Sequence, residues 1–178
     1  MGLPVQPRRK SVFVIGGARS GKSAFALKLA ESIGGNRIYV ATAEALDGEM
    51  EERIGRHRKE RSASWETVEE PLDIAGRLSG ASTGSVVLID CLTLWVNNLV
   101  SSGLDDDKVV EEARRLSEAI KGARSSVIAV SNELGLGIVP ENSLARRFRD
   151  LSGIVNREAA GACGEVYFVA AGIPLKMK

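Results

Sequence analysis

One glycine-rich stretch, GGARSGKS at residues 16–23, constrains the fold of this chain more than any other feature. It fits the pattern G-x-x-x-x-G-K-[ST], with a short apolar, β-rich run before it and a helix-like run after it. Glycines let backbone N–H groups curl around an anion, and the N-terminus of a helix adds the positive end of its dipole. The order of strand, loop and helix therefore predicts a phosphate-binding loop that holds a nucleoside triphosphate.

The residues of this loop have different predicted roles. The backbone that would surround the phosphates comes from Gly16, Gly17, Ala18, Arg19, Ser20 and Gly21. The Lys22 ammonium would reach the β- and γ-phosphates, and the Ser23 hydroxyl would ligate Mg²⁺. The alternative is a glycine-rich turn that fits the pattern by chance, and the flanking strand and helix argue against it. The motif predicts nucleotide binding without saying which reaction follows.

Strand-like and helix-like segments alternate along the chain. Strands are predicted at residues 11–15, 37–41, 85–90, 126–131 and 165–170, with a further short strand at 65–69. Helices are predicted at residues 22–33, 46–60, 72–78, 107–123 and 143–162. This alternation predicts a P-loop NTPase-like α/β fold, with a mostly parallel central sheet and helices on both faces. We expect residues 11–178 to form one nucleotide-binding catalytic domain after a mobile N-terminal extension of residues 1–10.

The composition narrows the range of functions. Lys and Arg number 24 and Asp and Glu number 23, so the formal net charge of +1 gives no support to nucleic-acid binding through a basic surface. No apolar run approaches the length of a membrane span. Cys91 and Cys163, the only cysteines, lack metal-ligand spacing and lie beside apolar runs. We expect buried free thiols and a cytoplasmic protein.

Polar residues occur at the ends of the predicted strands, where ligands bind in parallel α/β sheets. Asp90 ends an apolar strand in the manner of a Walker B carboxylate, which could hold Mg²⁺ through water or accept a hydrogen bond from Ser23. A solvated strand-end acid is the alternative, and the phosphate loop upstream favours the Mg²⁺ role. Thr42 follows the strand at 37–41. Asn132 and Glu133 precede a glycine-rich turn, for which a ligand-contacting loop and a plain connection both stay open.

His57 is the only histidine of the chain, and it lies in the charged segment RIGRHRKER. One interpretation is a solvated helix with alternating charges, which the residue types alone favour. The other is a nucleophilic imidazole that forms a covalent intermediate while neighbouring cations neutralise the phosphates of a bound triphosphate.

Three segments taken together resemble one family. They are the phosphate loop GGARSGKS, the segment RIGRHRKER around His57, and the stretch SNELGLGIVPENSLARRFRDLSGIVNRE. They resemble the bifunctional adenosylcobinamide kinase / adenosylcobinamide-phosphate guanylyltransferase of cobalamin biosynthesis, over about residues 11–178. Many NTPases share the loop, whereas the other two segments are much more specific. The resemblance implies phosphorylation of adenosylcobinamide with ATP or GTP. It also implies transfer of GMP from GTP to the phosphate, which gives adenosylcobinamide-GDP and pyrophosphate.

The resemblance also implies roles for individual residues. His57 would carry GMP covalently, Lys22 would be the other catalytic residue, and Ser23 and Asp90 would hold Mg²⁺. Contacts with the guanine nucleotide would come from Ala41, Thr42, Ala43, Arg58, Lys59, Glu60, Arg61, Glu69 and Asp90. Family members can carry Glu at the position of Asp90, and the shorter carboxylate would reach the metal through water.

The resemblance implies a corrinoid substrate and a homo-oligomer, a trimer in this family. From the charge balance and the lack of a long apolar run, we expect neither a nucleic-acid partner nor a membrane span. Two alternatives stay open at this point. A monofunctional P-loop small-molecule kinase would keep full activity in a His57→Ala variant, and a GTP-binding regulatory module would bind GTP without consuming it.

Overall fold

The computed structural model describes residues 9–43 and 64–178, which form seven strands and five helices. The strands are β1 (Ser11–Gly16), β2 (Arg37–Ala41), β3 (Trp65–Glu69), β4 (Val86–Asp90), β5 (Ser126–Asn132), β6 (Glu165–Ala170) and β7 (Ile173–Lys176). The helices are α1 (Lys22–Ile33), α2 (Ile74–Gly80), α3 (Leu92–Ser101), α4 (Asp106–Gly122) and α5 (Ser143–Ala162). The predicted helix at residues 46–60 lies outside the described residues.

All seven strands belong to one sheet in the order β3-β2-β4-β5-β1-β6-β7. Every neighbouring pair is parallel except β6 and β7, which form an antiparallel hairpin. The prediction of a mostly parallel α/β sheet is confirmed. Because β1 lies inside the sheet between β5 and β6, the loop that follows β1 opens at the middle of the carboxyl edge, where such sheets bind ligands.

Helices cover both faces of the sheet, as predicted. Val12 and Val14 of β1 pack in one cluster with Ala26 and Ala30 of α1. Phe13 of the same strand faces the opposite cluster, which contains buried residues of α3, α4 and α5. Alternate side chains of a strand point to opposite faces, so a strand that is buried on both sides is apolar throughout. This explains the near-continuous apolar runs in β1, β4 and β5.

Two elements were not predicted. Helix α3 is largely buried, with Trp95 fully enclosed, and a helix without a polar face lacks the periodicity that marks an amphipathic helix. Strand β7 is a four-residue edge strand that contains Pro174, a residue that disfavours a strand assignment.

Helix boundaries agree with the prediction at α1 and α5 and shift elsewhere. Helix α2 begins at Ile74 and not at residue 72, because the Asp73 side chain accepts a hydrogen bond from the Gly76 N–H and caps the helix. Helix α4 begins at Asp106 and not at residue 107, because Asp105 caps it through the Lys108 N–H.

Both cysteines agree with the expectation of buried free thiols. Cys91 and Cys163 are free and buried, and burial raises the pKa of their thiols to about 11 and about 12 respectively. Within residues 9–43 and 64–178, no helix combines the length and the apolar character that a membrane crossing requires.

Candidate functional site: a phosphate-binding loop at the carboxyl edge of the sheet

The predicted strand, loop and helix order around the glycine-rich motif is confirmed. Strand β1 ends at Gly16 and helix α1 begins at Lys22, so residues 17–21 form the connecting loop. Gly21, the residue before α1, has a φ of 92° in the left-handed region, which glycine adopts without a steric penalty. Arg19 also has a positive φ, of 56°. The loop therefore turns sharply at Arg19 and Gly21 and leads directly into the helix N-terminus.

The loop is packed closely against the strand beside it. A Cβ atom at Gly16 would lie far inside contact distance of the Val169 carbonyl oxygen of β6, and 2.8 Å from the Ser20 Oγ. The Ser20 N–H donates to the Gly17 carbonyl at 3.3 Å, and the Ser20 side chain is buried. Glycine at position 16 is thus required by the backbone of β6, in which Val169 is the register partner of Gly16.

Lys22 places a cation inside this loop. Its side chain is buried, and its ammonium donates a hydrogen bond to the Gly17 carbonyl at 3.1 Å. Ser23 follows it in the first turn of α1 and is half-buried, whereas Ala18 and Arg19 are exposed at the outer side of the loop. A cation held against the loop backbone at a helix N-terminus favours the binding of an anion.

The Lys22 ammonium of the loop acts electrostatically on Cys91, the residue that follows β4. Burial raises the pKa of the Cys91 thiol, the neighbouring Asp90 carboxylate raises it further, and the Lys22 ammonium acts in the opposite direction. Asp90 is half-buried at the end of β4, and its Oδ2 accepts a hydrogen bond from the Tyr39 hydroxyl at 2.7 Å. The structure thus brings Lys22 and Asp90 to one region, as the sequence predicts.

Thr42 ties the carboxyl ends of β2 and β4 together. It is fully buried, and its Oγ1 accepts from the Cys91 N–H and donates to the Cys91 carbonyl, both at 2.8 Å. The Thr42 N–H donates to the Asp90 carbonyl, and the Asn98 side chain donates to the Thr42 carbonyl. Because its hydroxyl is turned into the protein, Thr42 positions the strand ends in this conformation.

The remaining predicted nucleotide contacts have different locations. Ala41 ends β2 and is half-buried, as is Ala43. Glu69 is exposed at the end of the edge strand β3, with β2, β4 and β5 between it and β1. His57, Arg58, Lys59, Glu60 and Arg61 lie outside the described residues, so their roles stay predictions.

A polar network at the end of β5 joins the site. Asn132 is the register partner of Gly16, its N–H donates to the Thr93 Oγ1 at 2.8 Å, and its carbonyl accepts from the Asn156 side chain at 3.1 Å. The Glu133 N–H donates to the Gly16 carbonyl at 3.0 Å. The strand-end rule pointed to Asn132 and Glu133. Sequence reasoning did not identify Thr93 and Asn156 as part of this network. The sequence distinguishes them only as polar residues among the apolar buried residues of their helices.

The tip of the β6–β7 hairpin supports the loop from its other side. The Gly172 N–H donates to the Ser20 carbonyl at 2.8 Å, and a Cβ atom at Gly21 would lie 3.1 Å from the Gly172 Cα. Ala171 and Gly172 both have positive φ, of 51° and 80°. Sequence reasoning missed this contact, because more than a hundred residues separate the two segments.

A glycine-rich loop with a buried lysine, set between a central parallel strand and a helix, defines a P-loop nucleotide-binding protein. Solved structures show the same fold. A protein from Pyrococcus horikoshii OT3 matches with a TM-score of 0.60 at 7% identity, covering 97% of this chain and 88% of the other. The RadB recombinase matches with a TM-score of 0.51 at 14% identity, covering 89% and 73%. At such identities the likeness concerns the fold alone.

Comparison of the sequence shows the family. Residues 12–177 match the family described as "Cobinamide kinase / cobinamide phosphate guanyltransferase", and the chain belongs to this family. The chain is 45% identical to the Pseudomonas aeruginosa "Bifunctional adenosylcobalamin biosynthesis protein CobP", over 93% of this chain and 95% of that protein. It is 40% identical to the Escherichia coli K12 "Bifunctional adenosylcobalamin biosynthesis protein CobU", over 94% and 99%. The resemblance stated from the motifs is confirmed.

Proposed function

We propose that this protein is a bifunctional enzyme of cobalamin biosynthesis. It phosphorylates adenosylcobinamide with ATP or GTP, and it then transfers GMP from GTP to adenosylcobinamide phosphate, releasing pyrophosphate. The observation that carries the proposal is the family match over residues 12–177. The loop with its buried Lys22 supports the proposal independently, because both reactions break a phosphate bond of a nucleoside triphosphate.

The phosphate loop, Gly16 through Ser23, would hold the triphosphate in both reactions. Its chemistry fits an anion: Lys22 supplies a buried cation, and the Ser20 Oγ is a buried polar atom without a hydrogen-bond partner in the described part of the chain. Lys22 would stabilise the negative charge that develops on the phosphate oxygens as the bond breaks. A site of this kind acts by positioning and by electrostatic stabilisation.

Ser23 and Asp90 would hold Mg²⁺. In nucleotide sites this ion is held by one or two protein oxygens together with phosphate oxygens, and a hydroxyl and a carboxylate match that set. The ion supplies charge neutralisation on the triphosphate. The Tyr39 hydroxyl, bonded to one Asp90 oxygen, keeps the carboxylate oriented at the end of β4.

The guanylyl transfer would pass through His57. Its imidazole would attack the α-phosphorus of GTP and form a guanylyl-histidine, and Arg58, Lys59 and Arg61 would neutralise the departing pyrophosphate. The motif RIGRHRKER supports this assignment. The family resemblance also assigns Ala41, Thr42, Ala43, Glu60, Glu69 and Asp90 to the guanine nucleotide. Thr42 would act by positioning the ends of β2 and β4, because its hydroxyl is bonded to the Cys91 backbone.

The cysteines and the family resemblance support a cellular location, an oligomeric state and a substrate for this enzyme. The two buried free cysteines support a cytoplasmic location, because reducing compartments keep thiols unpaired. The family resemblance supports a homo-oligomer, a trimer, with a corrinoid as the substrate partner. The formal net charge of +1 gives no support to a nucleic-acid partner. Light scattering of the purified protein measures the oligomeric state directly.

Intact-protein mass spectrometry after incubation with GTP and Mg²⁺ tests the proposal. The wild-type protein should gain the mass of GMP, and the His57→Ala variant should not. Lys22→Ala should also abolish the adduct, whereas Lys28→Ala, an exposed lysine of the same helix, should leave it intact. An adduct that persists in His57→Ala would contradict the assignment of the nucleophile. Absence of any adduct, with cobinamide still phosphorylated, would leave a monofunctional kinase.

A further inference from the structure

The segment that follows β5, residues 133–144, begins at the phosphate loop but contains none of the residues assigned to the nucleotide. Asn132, the last residue of β5, is the register partner of Gly16, and the Glu133 N–H donates to the Gly16 carbonyl at 3.0 Å. The segment ends where Asn142 caps α5 through the Ala145 N–H. Its first residue is therefore fixed beside the loop that would hold the triphosphate.

Glu133 places a carboxylate at this position. The side chain is half-buried, and its Oε1 accepts a hydrogen bond from the Gly135 N–H. Of the other strand-end carboxylates, Asp90 is the proposed Mg²⁺ ligand, and its Oδ2 accepts from the Tyr39 hydroxyl. Glu69 ends β3 at the far edge of the sheet, beyond β2, β4 and β5. Glu133 is thus the strand-end carboxylate bonded through its own backbone to the phosphate loop.

The rest of the segment presents apolar side chains to solvent. It holds four of the eight exposed large hydrophobic side chains of the described residues: Leu136 at 80% exposure, Ile138 at 96%, Val139 at 58% and Leu144 at 58%. Several large apolar side chains exposed on one short segment indicate a surface that a ligand or partner covers. Gly137 is exposed and has no side chain, which leaves its backbone N–H and C=O groups accessible between these apolar side chains.

We propose that residues 133–144 form the acceptor site of the kinase reaction, an inference that rests on the proposed function. Glu133 is the catalytic base, and Leu136, Ile138 and Val139 form the surface that contacts the corrin macrocycle. Phosphoryl transfer requires the acceptor hydroxyl next to the γ-phosphate, which places the acceptor beside the phosphate loop. A corrin ring with its amide side chains needs an apolar face and accessible backbone polar groups, and this segment offers both.

The reaction at this site is a direct displacement. The acceptor hydroxyl oxygen forms a bond to the γ-phosphorus with its own electron pair, and its proton passes to the Glu133 carboxylate. The bond between the γ-phosphorus and the β–γ bridging oxygen breaks, and its electron pair stays on the departing nucleoside diphosphate. Glu133 then releases the proton to water.

The Glu133→Gln variant tests the base. Glutamine keeps an oxygen that can accept from the Gly135 N–H, so the loop geometry is preserved while the basic group is lost. We expect kcat for cobinamide phosphorylation to fall by about 10²–10⁴-fold, the usual contribution of a general base. Guanylylation of the protein by GTP needs no acceptor and should proceed as in the wild type. Glu111→Gln, an exposed glutamate of helix α4 outside this segment, is the control and should change neither reaction.

The Ile138→Ser variant tests the apolar surface. Ile138 is almost fully exposed, so its replacement should not affect folding. We expect KM for cobinamide to rise by about 10- to 100-fold, the effect of one lost aliphatic contact. The kcat and the KM for the nucleotide should stay unchanged. Leu175→Ser, a similarly exposed aliphatic residue on β7, is the control.

Several outcomes would overturn the acceptor site. A Glu133→Gln variant with wild-type kinase turnover, or one that also loses guanylylation, excludes a base specific to the acceptor. An Ile138→Ser variant with an unchanged KM and an altered oligomeric state would assign the surface to a second copy of the chain. A wild-type protein that phosphorylates no cobinamide overturns the proposed function, and the acceptor site with it.

Discussion

The Tyr39 hydroxyl donates a hydrogen bond to Asp90 Oδ2 at 2.7 Å, between the neighbouring parallel strands β2 and β4. Tyr39 is itself buried and packs edge-on against Trp65 of β3, with ring centroids 6.2 Å apart. Trp65 of the edge strand β3 therefore packs against Tyr39, and Tyr39 in turn orients the Asp90 carboxylate. A carboxylate that is held in this way reaches a metal ion with less loss of conformational entropy.

Tyr39→Phe should weaken Mg²⁺ binding at the site proposed for Ser23 and Asp90 while leaving the fold intact. The phenyl ring keeps the packing against Trp65, and only the hydrogen bond to Asp90 is lost. We expect about a 10-fold higher Mg²⁺ concentration for half-maximal activity, the low end of effects seen on removing a group that orients a metal ligand. The measurement is a Mg²⁺ titration of both reactions.

Tyr167→Phe provides the control for this prediction. Its hydroxyl also donates to a carboxylate, Glu165, at 2.8 Å. Glu165 is the first residue of β6, so it lies at the amino-terminal end of its strand, whereas Asp90 lies at the carboxyl end of β4. The Mg²⁺ dependence of this variant should equal that of the wild type. If both variants shifted it equally, the effect would reflect general stability.

Gly16→Ala should destabilise the protein even without nucleotide. The added methyl group would collide with the Val169 carbonyl oxygen, which β6 holds in place. We expect a loss of about 1–3 kcal/mol in the free energy of unfolding, as for overpacked cores. Gly17→Ala is the matched control, because no atom lies within 4 Å of its added methyl group. Urea denaturation of both variants checks the difference, and equal midpoints would contradict it.

The buried thiol of Cys163 should make the protein less stable in alkali. Burial raises its pKa from 9.0 to about 12, so the folded state holds a proton that the unfolded state loses. Its contribution is fully present below about pH 9 and is lost as the pH rises toward about 12. In this window the free energy of unfolding falls by at most about 1.4 kcal/mol per pH unit for one thiol.

The Cys163→Ala variant isolates this contribution. Lysines and tyrosines titrate in the same range, so only the difference between the wild type and the variant is informative. The variant should lose less stability than the wild type between about pH 9 and 12, measured by denaturant unfolding at several pH values. Parallel curves would show that this thiol does not contribute.

The sequence predicts the elements around the phosphate loop well because their signals are local. The glycines, Lys22 and the apolar run before them are adjacent in the chain, and the strand-end rule adds Asp90, Asn132 and Glu133. Strands β2 and β3 and helices α1 and α5 have the predicted boundaries. Each of these predictions depends on residues within one turn or strand.

What the sequence does not predict depends on contacts between distant segments. The sequence correctly places Thr42 directly after β2. Its hydroxyl turns inward because it bonds to the backbone N–H and carbonyl of Cys91, the residue that follows β4. Helix α3 is recognisable only when the elements that bury it are known. The hydrogen bond between the Gly172 N–H and the Ser20 carbonyl is likewise not predictable, because neither segment has a sequence pattern that indicates the contact.

Gly172→Ala should weaken nucleotide binding from outside the binding loop. Gly172 has a φ of 80°, so alanine strains the hairpin turn that donates a hydrogen bond to the Ser20 carbonyl. Gly103→Ala is a close control, because Gly103 has a φ of 90° and an added methyl group meets no atom within 4 Å, as at Gly172. Both variants should lose about 1 kcal/mol of stability, since both carry the same backbone strain. Only Gly172→Ala should raise the dissociation constant of a non-hydrolysable GTP analogue, measured by calorimetry. Equal affinities in the two variants would show that the hairpin does not support the phosphate loop.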